Sequence, residues 1–212
     1  MLKSRVKRTT LNIRQKGHGT ASVASAGWAS LRLRDRIGPG VRVLFVGINP
    51  GVRSALSGHH FAGPSNRFWK LLYESRLVDE RIGHEDDDRL AEWGYGITNL
   101  VPRASPGIDD LRPAEYVAGW RALERKIRRR RPAVVALVGV TLYRAILPLV
   151  SGSSVAAARI RPGVQVITIH GAHVFVLPNP SGRNANFSYA EMLAAFRGLK
   201  RHLSRMEGAC RS

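Results

Sequence analysis

The chain contains 212 residues, carries a formal net charge of +19 and has one cysteine, Cys210. This length suits a single domain with a substantial core, and one cysteine excludes both a disulfide framework and a four-cysteine iron–sulfur cluster. The positive charge favours a polyanionic partner, with nucleic acid as the first candidate and a solvated basic surface as the alternative. No apolar run approaches a membrane span, so we expect no membrane partner. A reducing, cytoplasmic location is expected, with an organellar or nuclear location left open.

Residues 1–36 are predicted to form a basic and flexible N-terminal arm, because their lysines and arginines are opposed by a single acid, Asp35. Such an arm would raise the affinity for DNA through phosphate contacts. An idle tail and a transit peptide are the alternatives that the composition leaves open. The folded domain is expected to span residues 37–206, followed by a short tail at residues 207–212.

The first predicted strand runs from Val41 to Val46, is apolar except for Arg42, and ends at Gly47. A long loop rich in glycine and proline follows, and Ser65 is predicted to cap the N-terminus of an amphipathic helix at residues 68–73. The loop therefore leaves the C-terminal end of a strand, which is where open α/β sheets bind their ligands.

The rest of the chain alternates between predicted helices and strands. In chain order these elements are a short helix at residues 87–93, a strand ending near residues 96–100, a helix at 113–131, a strand at 133–138, a helix at 141–150, a loop at 151–158, strands at 164–169 and 174–177, and a helix at 188–205. This alternation predicts an α/β fold, a three-layer α/β/α sandwich with a mainly parallel central sheet. A Rossmann fingerprint and a P-loop are both absent from the sequence.

Two groups of side chains raise the question of a metal site. The acidic run at residues 85–88 is expected to be a solvated cap at the start of the short helix, where negative charge is favourable. His170 and His173 flank a predicted turn, and the sequence suggests no third ligand for them. We therefore expect no metal site in either place.

Two segments that follow predicted strands carry motifs. The first consists of Gly47-Ile48-Asn49-Pro50-Gly51 and the block at residues 61–69, which reads Phe-Ala-Gly-Pro-Ser-Asn-Arg-Phe-Trp; the second is Asn179-Pro180-Ser181-Gly182. Together they resemble the two motifs of the mismatch-specific uracil and thymine DNA glycosylases, which belong to the uracil-DNA glycosylase superfamily. The resemblance implies a uracil-DNA glycosylase-like fold, and it continues more patchily to about residue 205. In a mainly parallel sheet, both motifs should meet at one edge.

Asn49 matches the residue that positions the attacking water in this family. An amide can orient water but cannot act as a strong general base at neutral pH, so the resemblance implies slow chemistry. Stabilisation of a Pro-Gly turn is the alternative role of Asn49. Phe61 matches the aromatic side chain that stacks on the flipped base, with core packing as its alternative. Ile48 and Ser54 are expected to line the substrate pocket, although Ser54 would serve equally well as a loop cap.

Asn179 matches the position from which other uracil glycosylases stabilise the leaving base anion with a histidine. An asparagine amide can donate a hydrogen bond there, though a weaker one than a charged donor, and Ser181 is expected to contact the substrate beside it. Gly182, Arg183 and Asn184 lie where the family inserts a loop into the duplex. Each is a candidate for the residue that fills the gap, and Arg183 resembles the arginine of the animal thymine enzymes.

The resemblance implies a monofunctional DNA glycosylase that flips a base out of the duplex and hydrolyses its glycosidic bond. Its expected substrate is uracil mispaired with guanine, and thymine mispaired with guanine is a second candidate. Its expected product is an abasic site, the intermediate of base excision repair. No lysine lies in either motif, so a lyase step is not expected. We expect double-stranded DNA as the partner, a monomer, and no cofactor or metal. The alternatives are a non-catalytic nucleic-acid-binding protein and a broader glycosylase, which would act on uracil in any context or on deaminated purines.

Overall fold

The structure is a computed structural model that describes residues 27, 30–151 and 160–209. At its centre lies a sheet in which the strands follow the spatial order β2-β1-β3-β5-β4. The strands are β1 at Val43–Gly47, β2 at Tyr95–Asn99, β3 at Val134–Val138, β4 at Gly163–Ile169 and β5 at Ala172–Leu177. All neighbouring strands run parallel except β4, which is antiparallel to β5. The prediction of a mainly parallel sheet is confirmed.

Helices cover both faces of this sheet. They are α1 at Val52–Ser57, α2 at Phe68–Glu74, α3 at Pro113–Arg130, α4 at Val140–Ser151 and α5 at Tyr189–Ala209, with 3-10 helices at His84–Trp93 and Ile108–Asp110. Helices α2 and α5 pack on one face of the sheet, while α3 and α4 pack on the other. The three-layer α/β/α sandwich that the sequence predicts is therefore confirmed.

Strand β1 shows why the central strands are apolar along their whole length. Val43 and Phe45 belong to the core shared with α2 and α5, whereas Leu44 and Val46 belong to the core shared with α3 and α4. All four side chains are completely buried, as expected for a parallel strand that is covered on both faces. Burial of side chains of this size stabilises the fold by about 1.5–3 kcal/mol each.

The predicted boundaries of α3, α4, β3, β4 and β5 agree with the structure to within two residues. Helix α1 is not among the predicted elements; it occupies six residues of the long loop after β1 and is too short to show an apolar period. The loop expected at residues 151–158 lies outside the described residues except for Ser151, which ends α4. No described helix combines the length and the hydropathy that crossing a lipid bilayer requires.

The predicted N-cap of α2 is wrong. The helix begins at Phe68, three residues after Ser65, which is too far along the chain for Ser65 to be its N-cap residue. Instead, Asn66 Oδ1 accepts a hydrogen bond from the backbone N–H of Phe68 at 2.9 Å. The N-cap position is occupied by Arg67, whose side chain makes no capping hydrogen bond, so the preceding Asn66 supplies the bond to the first turn.

The acidic run at residues 85–88 is only in part a solvated cap. Asp86 behaves as expected, since its carboxylate accepts the backbone N–H of Gly83 at 2.9 Å where the 3-10 helix starts. Asp87, by contrast, is 1% exposed and accepts hydrogen bonds from three neighbouring basic side chains. The expectation of a solvated carboxylate is therefore wrong for Asp87, because the fold surrounds it with donors.

Residues 31–36, predicted to belong to the basic arm, pack on the domain. Leu33 is buried, and its N–H donates to a backbone carbonyl in the loop after β2 at 3.1 Å. Arg36 and Ile97 exchange backbone hydrogen bonds of 2.9 and 2.8 Å at the outer edge of β2. Because Leu33 is buried and Arg36 pairs with β2, residues 31–36 belong to the packed domain. The rest of the predicted arm lies almost wholly outside the described residues.

Candidate active site

A cavity of about 500 Å³ opens at the C-terminal ends of the parallel strands. Gly47, Asn99 and Val138 contribute the strand ends to its wall, and the loops after β1 and β5 bring the two motifs together there, as expected. The predicted site residues in the wall are Ile48, Asn49, Ser54, Phe61, Asn179, Ser181 and Arg183. The other two predicted residues, Gly182 and Asn184, lie in the same loop as Arg183.

Asn49 is oriented by the hydrogen bonds of its own amide. Its Nδ2 donates to Pro50 O at 3.1 Å and to Ser105 Oγ at 2.8 Å, and Ser105 Oγ donates in turn to Gly107 O. No donor in the described part of the chain bonds Asn49 Oδ1, so the amide keeps a free acceptor. A free acceptor at the cavity wall can hold a water molecule through one of its O–H groups.

Asn99 is a wall residue to which the sequence motifs give no role. It is 7% exposed, and its Nδ2 has no hydrogen-bond partner among the described residues. A buried donor left unpaired costs about 1–3 kcal/mol, so a ligand that supplies an acceptor would be bound favourably. The parallel register places Asn99 beside Gly47, where a Cβ on residue 47 would lie 2.6 Å from Asn99 Oδ1. The sequence does carry one signal for this residue, because Gly96-Ile97-Thr98-Asn99 at the end of a predicted strand resembles a Gly-x-Thr-Asn segment of the same glycosylase family.

Ser105 is another wall residue that the motifs do not identify. Its side chain is 1% exposed, and its hydroxyl is the acceptor that fixes the Asn49 amide. The backbone N–H of Ser105 also donates to Pro50 O at 3.2 Å, which ties the loop after β2 to the first motif. These contacts join residues far apart in sequence, so periodicity and local motifs carry no signal for them.

Phe61 both lines the cavity and packs on the core. Its ring stacks on Phe68 with 4.2 Å between ring centroids and 27° between the planes. Its φ of +53° lies in the left-handed region, which is uncommon for a bulky side chain. The backbone N–H of Ala62, the residue after Phe61, donates a hydrogen bond to Ser54 Oγ at 3.0 Å. The loop-capping alternative for Ser54 is thus realised, although Ser54 also lines the cavity.

The second motif is held together by its own side chains. Asn179 Oδ1 accepts the N–H of Ser181 at 3.1 Å, and Ser181 Oγ accepts the N–H of Arg183 at 3.3 Å. Asn184 Nδ2 donates to Asn179 O at 2.7 Å and so closes the loop. These bonds commit the Asn179 side-chain oxygen and leave its Nδ2 as the group that can face a ligand.

The loop residues 182–184 differ in what they can offer to DNA. Gly182 packs against the first motif: a Cβ on it would lie 2.5 Å from Ser65 Cβ and 2.7 Å from Ser65 O. Asn184 is hydrogen-bonded within the loop. Arg183 is exposed, and its guanidinium has no ion pair in the described residues. Of the three candidates, Arg183 is therefore the one that offers a long, exposed side chain without an ion-pair partner among the described residues.

The cavity wall is polar without being acidic. Its described residues include no aspartate, glutamate or lysine, while Arg53 and Arg183 supply positive charge. Arg53 Nε donates to Ala62 O at 3.2 Å, so part of its hydrogen-bonding capacity is used within the loop. Such a wall can stack on a planar ligand, donate to its oxygens, orient a water molecule and favour developing negative charge.

Residues 35–200 match the family model described as "Uracil DNA glycosylase superfamily". The match covers most of the chain, and the protein therefore belongs to the uracil DNA glycosylase superfamily. It is accordingly a DNA glycosylase, a hydrolase of N-glycosidic bonds.

The fold is also similar to the solution NMR structure of a "putative Uracil DNA glycosylase" from Methanosarcina acetivorans. The TM-score is 0.52 and the sequence identity is 16%, over 80% of this chain and 98% of that chain. At this identity the similarity concerns the fold alone, and it supports the uracil-DNA glycosylase-like sandwich predicted from the sequence.

Proposed function

We propose that the protein is a monofunctional, mismatch-specific DNA glycosylase that removes uracil opposite guanine and leaves an abasic site. The observation that carries this proposal is the Asn49 amide at the cavity wall, whose N–H groups are both bonded while no described residue donates to Oδ1. In the proposed reaction, Oδ1 accepts a hydrogen bond from water and directs the water oxygen toward the sugar carbon. Because an amide removes no proton, the bond to the base must be largely broken before water attacks.

The flipped base is proposed to lie between an aromatic ring and a buried amide. Phe61 supplies the ring at the cavity wall, and Asn99 Nδ2 is the donor that the described protein leaves without a partner. Uracil and thymine both carry carbonyl oxygens that can accept from such a donor. Thymine, which differs by one methyl group, is the second base in the proposal.

Negative charge develops on the base as its bond to the sugar breaks. We assign its stabilisation to Asn179 Nδ2, because Asn179 Oδ1 is already committed to the N–H of Ser181. Ile48 and Ser181 complete the wall around the base. A neutral donor stabilises an anion less than a charged one does, which is a second reason to expect slow turnover and a preference for weakly paired bases.

Double-stranded DNA is the proposed partner, bound by a monomeric enzyme. Arg183 is proposed to enter the gap that the flipped base leaves, since refilling it offsets part of the unstacking cost. No lysine lies among the described residues of the cavity wall, so the proposal includes no Schiff base and no strand cleavage.

A panel of labelled duplexes tests this proposal. Excess enzyme is incubated with duplexes containing uracil opposite guanine, uracil opposite adenine, thymine opposite guanine, or hypoxanthine, with and without subsequent alkali. We expect excision to be fastest for uracil opposite guanine, slower for thymine, and visible as strand cleavage only after alkali. Equal excision of uracil opposite either base, or of hypoxanthine, would instead indicate the broader-range glycosylase. DNA binding without any excision would indicate the non-catalytic alternative.

A further inference from the structure

Asp87 is the only aspartate or glutamate among the buried residues that the structure describes, and the proposed reaction gives it no role. It lies in the 3-10 helix at His84–Trp93, and its carboxylate collects four donors. Oδ1 accepts from Arg36 Nε at 2.9 Å and from His59 Nδ1 at 3.2 Å. Oδ2 accepts from His60 Nδ1 at 3.0 Å and from the backbone N–H of His60 at 2.9 Å.

The Asp87 carboxylate is ionised at neutral pH. Burial on its own would raise the pKa of Asp87, but hydrogen bonds from His60, Arg36 and His59 hold that pKa well below its ordinary range. An ionised carboxylate only accepts hydrogen bonds, so Nδ1 of both histidines must carry the proton. This fixes the tautomer and the orientation of the two imidazoles that precede Phe61.

These contacts converge on Phe61, the one non-glycine residue with a positive φ among the described residues of the cavity wall. Phe61 has a left-handed φ of +53°, a conformation that persists only where its surroundings enforce it. Before it, Asp87 holds the ring and the N–H of His60, and Trp69 Nε1 donates to His60 O at 3.2 Å. After it, Ser54 Oγ holds the N–H of Ala62 at 3.0 Å. The turn that carries the Phe61 ring is thus bound on both sides.

We propose that Asp87 is a positioning residue for base recognition: through His60 it sets the turn at Phe61 and hence the plane in which the Phe61 ring meets the flipped base. This inference rests on the proposed function of Phe61. The Phe61 ring is already packed on Phe68, with 4.2 Å between centroids, so a change in the turn cannot be absorbed by free rotation of the ring. Misplacement of a substrate contact by about an ångström can slow an enzyme by as much as about a hundredfold.

The test compares Asp87→Asn with Asp88→Asn. The neighbouring Asp88 is exposed and lies outside the cavity wall, so it matches the charge change without touching the turn. We expect Asp87→Asn to slow single-turnover excision of uracil opposite guanine by about tenfold or more at saturating enzyme. Asp88→Asn should excise at the wild-type rate.

A double-mutant cycle separates positioning from general loss of stability. If Asp87 acts through Phe61, Asp87→Asn should slow the already impaired Phe61→Ala enzyme by less than about twofold, although the substitution lowers thermal stability in both backgrounds. If Asp87→Asn slows excision by the same factor in the wild-type and Phe61→Ala backgrounds, the two residues act independently and the proposal is overturned. If Asp87→Asn does not fold, His60→Ala takes its place in the same cycle, since it removes the imidazole but keeps the backbone N–H that donates to Asp87. Equal rate losses from His60→Ala in the two backgrounds would likewise overturn the proposal.

A binding measurement distinguishes this inference from the proposed function. Fluorescence of 2-aminopurine placed beside a uracil nucleotide that resists hydrolysis reports base flipping without excision. Asp87→Asn should lower the flipped fraction at saturating protein, while Asp88→Asn should not. A wild-type enzyme that excises no base would refute the proposed function. A wild-type enzyme that excises, with an Asp87→Asn variant that flips and excises normally, would refute only the positioning role.

Discussion

At the scale of single residues, three asparagines in the cavity have the same amide side chain but differ in which amide atom, Oδ1 or Nδ2, lacks a hydrogen-bond partner among the described residues. Asn49 has both N–H groups bonded and offers Oδ1, whereas Asn179 has Oδ1 bonded and offers Nδ2. Asn99 is buried with Nδ2 unpartnered among the described residues. The motifs point to Asn49 and Asn179, but the free end of Asn49 depends on Ser105, which is 56 residues away in sequence. Such long-range orientation is invisible to a local motif.

Replacement of Asn49 by alanine should abolish most excision and leave DNA binding intact. Asn49 carries no charge for a phosphate, but its free Oδ1 is the proposed water acceptor. A loss of about a hundredfold or more in single-turnover rate is expected, as for removal of other oriented polar groups in active sites. Ser105→Ala should give a smaller loss, because Asn49 remains but its amide is released. Excision by Asn49→Ala near the wild-type rate would contradict the proposed role.

Replacement of Arg183 by alanine should slow excision from duplex DNA more than from single strands. An exposed arginine can fill the hole left by a flipped base and hydrogen-bond the orphaned guanine, and a single strand has no such hole. Single-turnover rates on both substrates at saturating enzyme measure the difference. The matched control is Arg125→Ala, which removes an exposed arginine in the middle of α3. Equal losses on the two substrates would reduce Arg183 to a phosphate contact.

At the scale of secondary structure, long elements were predictable and short or non-local features were not. Helix α3 has a clear apolar period and the buried β3 is an unbroken apolar run, so their bounds follow from the sequence. Helix α1 has only six residues, and the capping of α2 by Asn66 depends on where that helix starts. The burial of Asp87 depends on histidines from another loop, so its helix-start position alone predicts a solvated cap.

Replacement of Gly182 by alanine should separate the two motif loops. A new Cβ would lie 2.5 Å from Ser65 Cβ, and overpacking of this kind costs about 1–3 kcal/mol. We expect a lower melting temperature and slower excision, because the Arg67 N–H that donates to Pro180 O at 3.0 Å would be displaced with the loop. Gly51→Ala is the control: its φ is −65° and no atom lies within 4 Å of a Cβ there. Equal melting temperatures for the two variants would show that the loop contact is unimportant.

At the scale of the whole molecule, the positive charge extends well beyond the cavity. Helix α3 alone exposes Arg121, Arg125, Arg128 and Arg129, none of which forms an ion pair within the described residues. None of these four arginines is among the described residues of the cavity wall. In the proposed function, their charge is therefore expected to act through non-specific attraction to phosphates rather than through recognition of a base.

The predicted arm offers a separate test of this attraction, because residues 1–26 contain no acid and six basic residues, namely Lys3, Arg5, Lys7, Arg8, Arg14 and Lys16. Replacement of these six residues by glutamine keeps the chain length and leaves Leu33 and Arg36 in place on the domain. Removal of each phosphate contact should reduce the slope of log affinity against log salt by roughly 0.9 on duplex DNA. Affinity measured between low and physiological salt should therefore fall less steeply for the variant than for the wild type.

The same arm variant should keep its single-turnover excision rate at saturating enzyme, since the residues proposed to bind the base and the water, from Ile48 to Ser181, all lie beyond the arm in the sequence. The matched control for charge outside the arm carries glutamine at Arg121, Arg125, Arg128 and Arg129 of α3. An unchanged salt slope in the arm variant would show that its six basic residues make no contact with DNA. A slower excision rate at saturating enzyme would show that the arm contributes to excision itself, because all of the DNA is bound under that condition and a loss of affinity no longer affects the rate.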